Sequence, residues 1–393
     1  MQEKAILIDI IELGTDLSES GLRLEELDSL VKTYGGASAV KTYQKRSKPD
    51  YRTFVGSGKV KELLDEFGGA DNIDLIILNN ILKPRQIYNL EEVCVQYEID
   101  KHADDERFEV PKKIRVWDRV DLILKIFDKH ATTAEAKLQI ELASIKHMGP
   151  RIFGMGMELS RQGGGIGTIG SGETNTEIMK RALKKRTKII EEKIKNHGEI
   201  QSRQRDSRKK RDIKTVAVAG YTNAGKSTLI KGLTNKKEVY IADELFATLD
   251  SKVGELYIPG TDGDYRGSSV LIADTIGFIQ DLPPNLIKAF KTTLAEIVDA
   301  DMILHVIDVS DKDIHFKIEV VEKILTELLG GREVPKVYVF NKTDLLESYS
   351  EEKKLDYIAE LTERYADFSP QLVSALDKTT HQNLIDTIKD KVL

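Results

Sequence analysis

The sequence predicts an α/β protein in three parts: an N-terminal α/β domain (1–117), a long antiparallel helical hairpin (118–211) and a doubly wound domain (212–393). Three observations carry that prediction. Short apolar runs alternate with segments of three-and-four spacing at both ends of the chain, as in helices packed on a sheet. The stretch between them keeps a helical period over many turns. Finally, 393 residues exceed one ordinary domain, and 40% apolar residues can fill more than one core.

In the first part, AILIDI (5–10), the segment near Ala39–Tyr43, DLIILN (74–79) and KIRVWD (113–118) read as strands. Leu22–Tyr34, Lys59–Phe67 and Pro84–Val95 read as helices, with Pro84 suited to a first turn. The polar, acidic stretch Tyr97–Val110 reads as a loop before the last strand. In the middle part, Val120, Ile123, Phe127, Ala131, Ala134, Leu138, Leu142 and Ile145 recur every three or four residues. They predict one helix from Arg119 to about Met148, roughly 45 Å long, stopping at Gly149–Pro150. After the glycine-rich LSRQGGGIGTIGSGE (159–173), Thr174 and Glu177 have capping-box spacing and open a second helix, with fraying expected near His197–Gly198. The last part begins with TVAVAG (215–220), turns through a hairpin near Gly260–Gly263, and continues in strands near 270–274, 303–309, 337–340 and 372–374. Helical segments separate most of these, which predicts a largely parallel sheet covered on both faces.

Composition bounds the class. No run approaches the length of a membrane-spanning helix, so no membrane insertion is expected. The start MQEKAILIDIIEL carries Glu3, Asp9 and Glu12 and has no basic opening, so it reads as a strand and not a signal peptide. Cys94 is the sole cysteine; internal disulfides and multi-cysteine metal sites are excluded, and a buried place on a helix is expected. A reducing cytoplasm follows, with association at a membrane surface left open. Nothing demands a dimer, and a monomer is expected. The net charge of −6 conceals sixteen basic against seven acidic residues between Arg151 and Arg211, a local balance of +9. That asymmetry suits either a polyanion contact or a solvated helix.

Chemistry concentrates in the last part. GYTNAGKST places Gly220, Tyr221, Thr222, Asn223, Ala224, Gly225, Lys226, Ser227 and Thr228 between a strand and a helix. Glycines let backbone N–H groups curl around phosphates, and the helix N-terminus adds its positive dipole end. Lys226 should reach the β- and γ-phosphates and the Ser227 hydroxyl should bind Mg²⁺. DTIG follows a buried strand: Asp274 should hold Mg²⁺ through water, and the Gly277 N–H should sense the γ-phosphate. NKTD follows another. Asp344 can accept from both the ring N–H and the exocyclic amine of guanine, donors adenine does not offer there. Asn341 belongs to the same motif, and Lys342 would lie along the base. Ser374-Ala375 after the last strand supplies a backbone contact to the base oxygen. Thr248, in ELFATLD, is the candidate for the mobile loop contacting Mg²⁺ and γ-phosphate. Four short motifs in order, each after a strand, predict a P-loop GTPase domain, with Lys226, Thr248 and Gly277 as its catalytic set.

Many GTPases carry a water-orienting glutamine directly after the DxxG glycine. Here Phe278 stands in that position and Gln280 comes two residues later, so slow intrinsic hydrolysis, rescued by a partner or by another group, is expected.

The segments DTIGFIQDLPPNLIKAFKTTLAEIVDADMILHVIDVSD (274–311), FVGSGKVKEL (54–63), EAKLQIEL (135–142) and LSRQGGGIGTIGSGET (159–174) resemble the HflX GTPases, across nearly the whole chain. The resemblance implies a GTPase that binds the large ribosomal subunit and splits or rescues ribosomes under stress. It also implies that the hairpin carries its glycine-rich loop towards the peptidyl-transferase centre, making Arg161, Gln162, Gly163, Gly164 and Gly165 candidate rRNA contacts. An apolar residue at Phe278 agrees with that family. Asn223 resembles the asparagine that helps hold K⁺ in some GTPases. Two departures stand out: His130, Thr132 and Ala134 occupy positions where relatives often carry arginines, and the chain ends without the small C-terminal domain of many bacterial members. Two other functions stay open on the residues alone. One is a GTP-dependent switch for a protein effector. The other is an RNA remodeller with a second nucleotide site in the N-terminal region, where Gly56, Gly58 and Lys59 fall short of a P-loop.

Overall fold

A computed structural model describes residues 2–15, 17–103, 112–162, 175–234, 253–259, 267–275, 277–279 and 294–393. It forms two compact units, residues 1–129 with 140–192, and residues 130–139 with 193–393. The middle region is therefore shared between them.

The first unit contains β1 (Lys4–Ile11), α1 (Leu17–Tyr34), β2 (Ala37–Lys45), α2 (Ser57–Phe67), β3 (Leu75–Leu78), α3 (Pro84–Lys101) and β4 (Arg115–Asp118). All pairings are parallel, in the order β2-β1-β3-β4. Burial follows position in the sheet. LIIL of β3 is buried throughout and β1 exposes only Lys4, whereas the edge strand β2 alternates exposed and half-buried residues. Cys94 lies inside on α3, 1% exposed, and burial pushes its thiol up to about 12, which makes it an inert core group.

Four local expectations give way. α3 runs on to Lys101 where a loop was predicted, because its polar last turn is anchored: the Tyr97 hydroxyl donates to Asp65 (2.8 Å) and the buried Glu98 carboxylate accepts from Ala70 N (2.7 Å). The predicted single helix after Arg119 is two, α4 (Arg119–His130) and α5 (Ala134–Gln162). Thr133 makes the break, its hydroxyl accepting from Ala136 N (3.2 Å) as a helix N-cap does. The apolar spacing continues across the interruption, so periodicity cannot reveal it. Nor does the helix stop at Gly149–Pro150. Proline removes one backbone bond at a cost of about 3 kcal/mol, and a long helix bonded on both sides can absorb that. α6 (Asn175–Lys210) is continuous through His197–Gly198, and the Thr174 half of the expected capping box lies outside the described residues. Ion pairs link α5 and α6: Arg186 grips Glu141 with two bonds (2.6 and 2.7 Å) and Lys146 meets Glu191 (3.1 Å).

The second unit contains β5 (Thr215–Gly220), α7 (Lys226–Leu233), β6 (Val253–Ile258), β7 (Ser268–Asp274), α8 (Ala295–Asp299), β8 (Met302–Asp308), α9 (Ile314–Leu329), β9 (Lys336–Asn341), α10 (Glu351–Arg364), β10 (Gln371–Leu372) and α11 (Gln382–Val392). Strand order is β10-β9-β8-β5-β7-β6, parallel except for the β6–β7 pair, whose turn at 260–266 lies outside the described residues. One face packs Val216, Val218, Leu304 and Val339 against α7 and α11, and Ile307, Tyr338 and Phe340 pack beneath α9 and α10 on the other. β5 lies where the chain, having built one side of the sheet, crosses to build the other. Ligands bind beyond the strand ends at such switch points.

Candidate nucleotide site

β5 is fully buried and delivers the loop 220–227 to that switch point. Gly225 caps α7 at φ +88°, and a Cβ there would lie 2.2 Å from Asn341 Nδ2, so glycine is required twice over. Asn223 occupies the exposed tip at φ +61°. The Lys226 ammonium turns back to donate to the Tyr221 carbonyl (2.7 Å). Its burial brings its pKa down to about 8, against the opposing pull of the Asp274 carboxylate. Ser227 Oγ donates to Asp274 Oδ2 (2.9 Å), and Thr228 follows in the first turn of α7.

The DTIG segment is tied to this loop by its backbone. Phe278 N donates to Gly220 O (3.1 Å), Phe278 O accepts from Thr222 N (2.8 Å), and Thr275 Oγ1 donates to Val218 O (2.6 Å). Gly277 sits against the lysine: a Cβ added there would be 2.9 Å from Lys226 Nζ. The Phe278 ring is 1% exposed. The residue therefore takes the place of a water-orienting side chain only in sequence; in space it is a core residue whose main chain fastens the phosphate loop.

The base-recognition motifs converge on the same loop. Buried Asn341 donates through Nδ2 to Ala224 O (2.8 Å) and accepts through Oδ1 from Ala375 N (2.8 Å). One side chain thus joins the P-loop, the end of β9 and the loop after β10. Ser374 Oγ donates to Asp344 Oδ1 (2.6 Å), fixing the carboxylate assigned to guanine. Lys342, at φ +66°, directs its ammonium to Asp308 (2.7 Å), which holds its aliphatic stem.

Several supporting residues carry no sequence signal. Thr380 Oγ1 accepts from Ser374 N (2.9 Å), and buried His381 Nε2 lies 3.0 Å from Ser374 O, together setting the turn that presents Ala375. Burial lowers the pKa of His381, as suits a neutral imidazole donating to a carbonyl. Lys317 places its ammonium 5.1 Å from the Tyr221 ring while paired with Asp311. Thr248, Gln280 and Gly163–Gly165 lie outside the described residues, and Arg161 and Gln162 are the last two residues of α5.

The arrangement suits a magnesium nucleotide. Ser227 and Asp274 set a hydroxyl and a carboxylate oxygen 2.9 Å apart, hard donors of the kind Mg²⁺ takes, beside a lysine within reach of phosphate. Gly56, Gly58 and Lys59 form no such loop: Gly56 precedes α2 and Lys59 pairs with Glu62 (2.7 Å). Among the described residues no helix is long and apolar enough to cross a membrane.

Comparison with known proteins agrees with this geometry. Three family descriptions match in succession: GTP-binding GTPase N-terminal over residues 22–128, GTP-binding GTPase middle region over 130–211, and 50S ribosome-binding GTPase over 215–342. The chain is 42% identical to GTPase HflX of Caldanaerobacter subterraneus subsp. tengcongensis, covering 88% of this chain and 74% of the relative. To GTPase HflX of Escherichia coli it is 37% identical over the same shares. A solved structure of SsGBP with GDP is similar at 24% identity and TM-score 0.51, covering 99% of this chain and 98% of that one, which bears on fold alone.

Proposed function

The chain belongs to the HflX family of GTPases, and from that premise we infer that it is a GTP hydrolase acting on the large ribosomal subunit, in ribosome splitting or rescue under stress. The double hydrogen bond of Asn341, which joins phosphate and base recognition, carries the GTPase part of this reading, and the match of residues 215–342 to 50S ribosome-binding GTPases supports the ribosomal part. Gly220–Thr228 wrap the phosphates with backbone N–H groups, and Lys226 leaves the Tyr221 carbonyl to meet the β- and γ-phosphates. Ser227, Asp274 and Thr248 would hold Mg²⁺, which would supply charge neutralisation at the phosphates. Gly277 N–H senses the γ-phosphate. Asp344 accepts from guanine N–H groups, Lys342 lies along the base, and Ala375 N–H supports its oxygen, with Ser374 holding Asp344 in place.

Phe278 leaves the chain without a water-orienting glutamine next to Gly277, which supports slow intrinsic turnover raised by a partner. Asn223 is assigned to a K⁺ at the loop tip. Arg161, Gln162 and Gly163–Gly165 are assigned to rRNA, where glycine permits close approach to a phosphate backbone. The N-terminal domain, hairpin and GTPase domain act as three functional parts. The test is GTP hydrolysis by the pure protein with and without large ribosomal subunits, from low to high salt. Stimulation that fades with salt is expected. An unstimulated but healthy basal rate would leave a GTPase and discard the ribosome as its activator.

A further inference from the structure

Besides the basic region 151–211, the end of β2 and the loop that follows it gather cations in this acidic chain. Lys45, Arg46, Lys48 and Arg52 stand within eight residues, and among the described residues none of the four takes part in an ion pair. The one acid among them, Asp50, is half-buried and bonded within the loop: its Oδ1 accepts from Arg52 N (2.9 Å), Thr53 N (2.8 Å) and Thr53 Oγ1 (2.9 Å). Those bonds, the Thr53 backbone first, also lower its pKa. At the tip, Tyr51 is 85% exposed, the highest value for any large apolar side chain described.

The loop is built and not slack. Asp50 and Phe54 exchange two backbone bonds (2.8 and 2.9 Å), with Phe54 held at φ +67°. Arg46 N donates to Ile11 O (2.9 Å) and Asn89 Nδ2 donates to Arg52 O (2.7 Å), so β1 and α3 clamp its two ends. Within the loop, Thr53 and Val55 are buried. A preorganised loop that displays four cations against one carboxylate, together with an open aromatic face, combines phosphate neutralisation with base stacking.

We propose that this loop is a docking surface for single-stranded or unpaired RNA, with Tyr51 stacking on a base and the four cations on flanking phosphates. The inference rests on the reading of the chain as a ribosome-directed GTPase and adds a contact surface in its N-terminal unit. Aromatic stacking favours RNA over an anionic lipid headgroup, which has no planar face to offer.

The test uses the full chain and a twelve-residue oligouridylate, titrated from low to high KCl, beside large ribosomal subunits in the hydrolysis assay. Two variants are compared with wild type: Lys45, Arg46, Lys48 and Arg52 all changed to Gln, and Tyr51→Ala. Both leave basal GTP hydrolysis unchanged, and thermal unfolding followed by circular dichroism controls for folding of the N-terminal unit that carries the loop. The quadruple variant is expected to flatten the slope of log affinity against log salt by about 2 to 3, from a slope of about −0.7 per phosphate contact. Tyr51→Ala should weaken binding about fivefold to a hundredfold with the slope kept. The basic region 151–211 is intact in both, so only the loop's share is removed. Unchanged slope and affinity in both variants would overturn the proposal, as would loss of binding to anionic phospholipid vesicles without loss of RNA binding. If wild type binds RNA through this loop but is not stimulated by subunits, the ribosomal reading falls and the surface stands.

Discussion

Replacing Phe278 by glutamine tests whether this position can serve hydrolysis at all. Sequence alone would make Phe278→Gln a restoration, since glutamine follows the DxxG glycine in many GTPases. The structure predicts the opposite. The ring is 1% exposed and its main chain bridges Gly220 and Thr222. Removing a buried phenyl group costs about 3–5 kcal/mol, and burying an amide without partners adds about 1–3 kcal/mol; partial relaxation of the glutamine towards water offsets some of this. A net loss of about 4 kcal/mol in a domain of this size lowers Tm by roughly 8–16 °C. The assay pairs thermal unfolding with single-turnover GTP hydrolysis, using Phe278→Leu as the apolar control. Phe278→Gln should lose stability without gaining rate, and Phe278→Leu should stay near wild type in both. An acceleration of about tenfold or more, with Tm unchanged, would refute the reasoning, because the side chain would then have to reach the attacking water.

Asn341→Ala removes both bonds that join Ala224 to Ala375, so GDP and GTP affinity should fall about 10- to 100-fold by calorimetry. Asn341→Asp should rescue little, since a carboxylate cannot donate to the Ala224 carbonyl. Asp344→Asn exchanges an acceptor pair for one acceptor and one donor, so GTP affinity should collapse while xanthine nucleotides, with an oxygen in place of the amine, gain; a competition assay decides it. Lys226 gives a pH prediction. Its folded pKa is lowered to about 8, so in the nucleotide-free chain its cation weighs against stability below pH 8, and that penalty fades as pH rises through 8 towards the ordinary lysine value. Phosphate favours the cation, so binding takes up a proton above pH 8. GDP affinity should therefore decline by up to about tenfold per pH unit from pH 8 to 10, and Lys226→Met should show no such dependence.

Much of this protein is legible along the chain because its signals are local. Strands such as LIIL (75–78) and TVAVAG (215–220) are continuous apolar runs because both their faces are covered, and the P-loop, DTIG and NKTD sit at strand ends where a phosphate or a base can be met. Residue type and spacing are enough to read these. The break at Thr133 and the extension of α3 were not legible, since one leaves the amphipathic period intact and the other depends on partners 28 and 32 residues away. The same limit governs the site. Sequence determined which residues could bind phosphate, metal and guanine. Only the tertiary structure decided that Asn341, 117 residues beyond Ala224, locks these functions together, and that Phe278 belongs to the core and not to the chemistry. A hydrogen bond across such a separation depends on where the sheet brings two strand ends, and no local pattern encodes that.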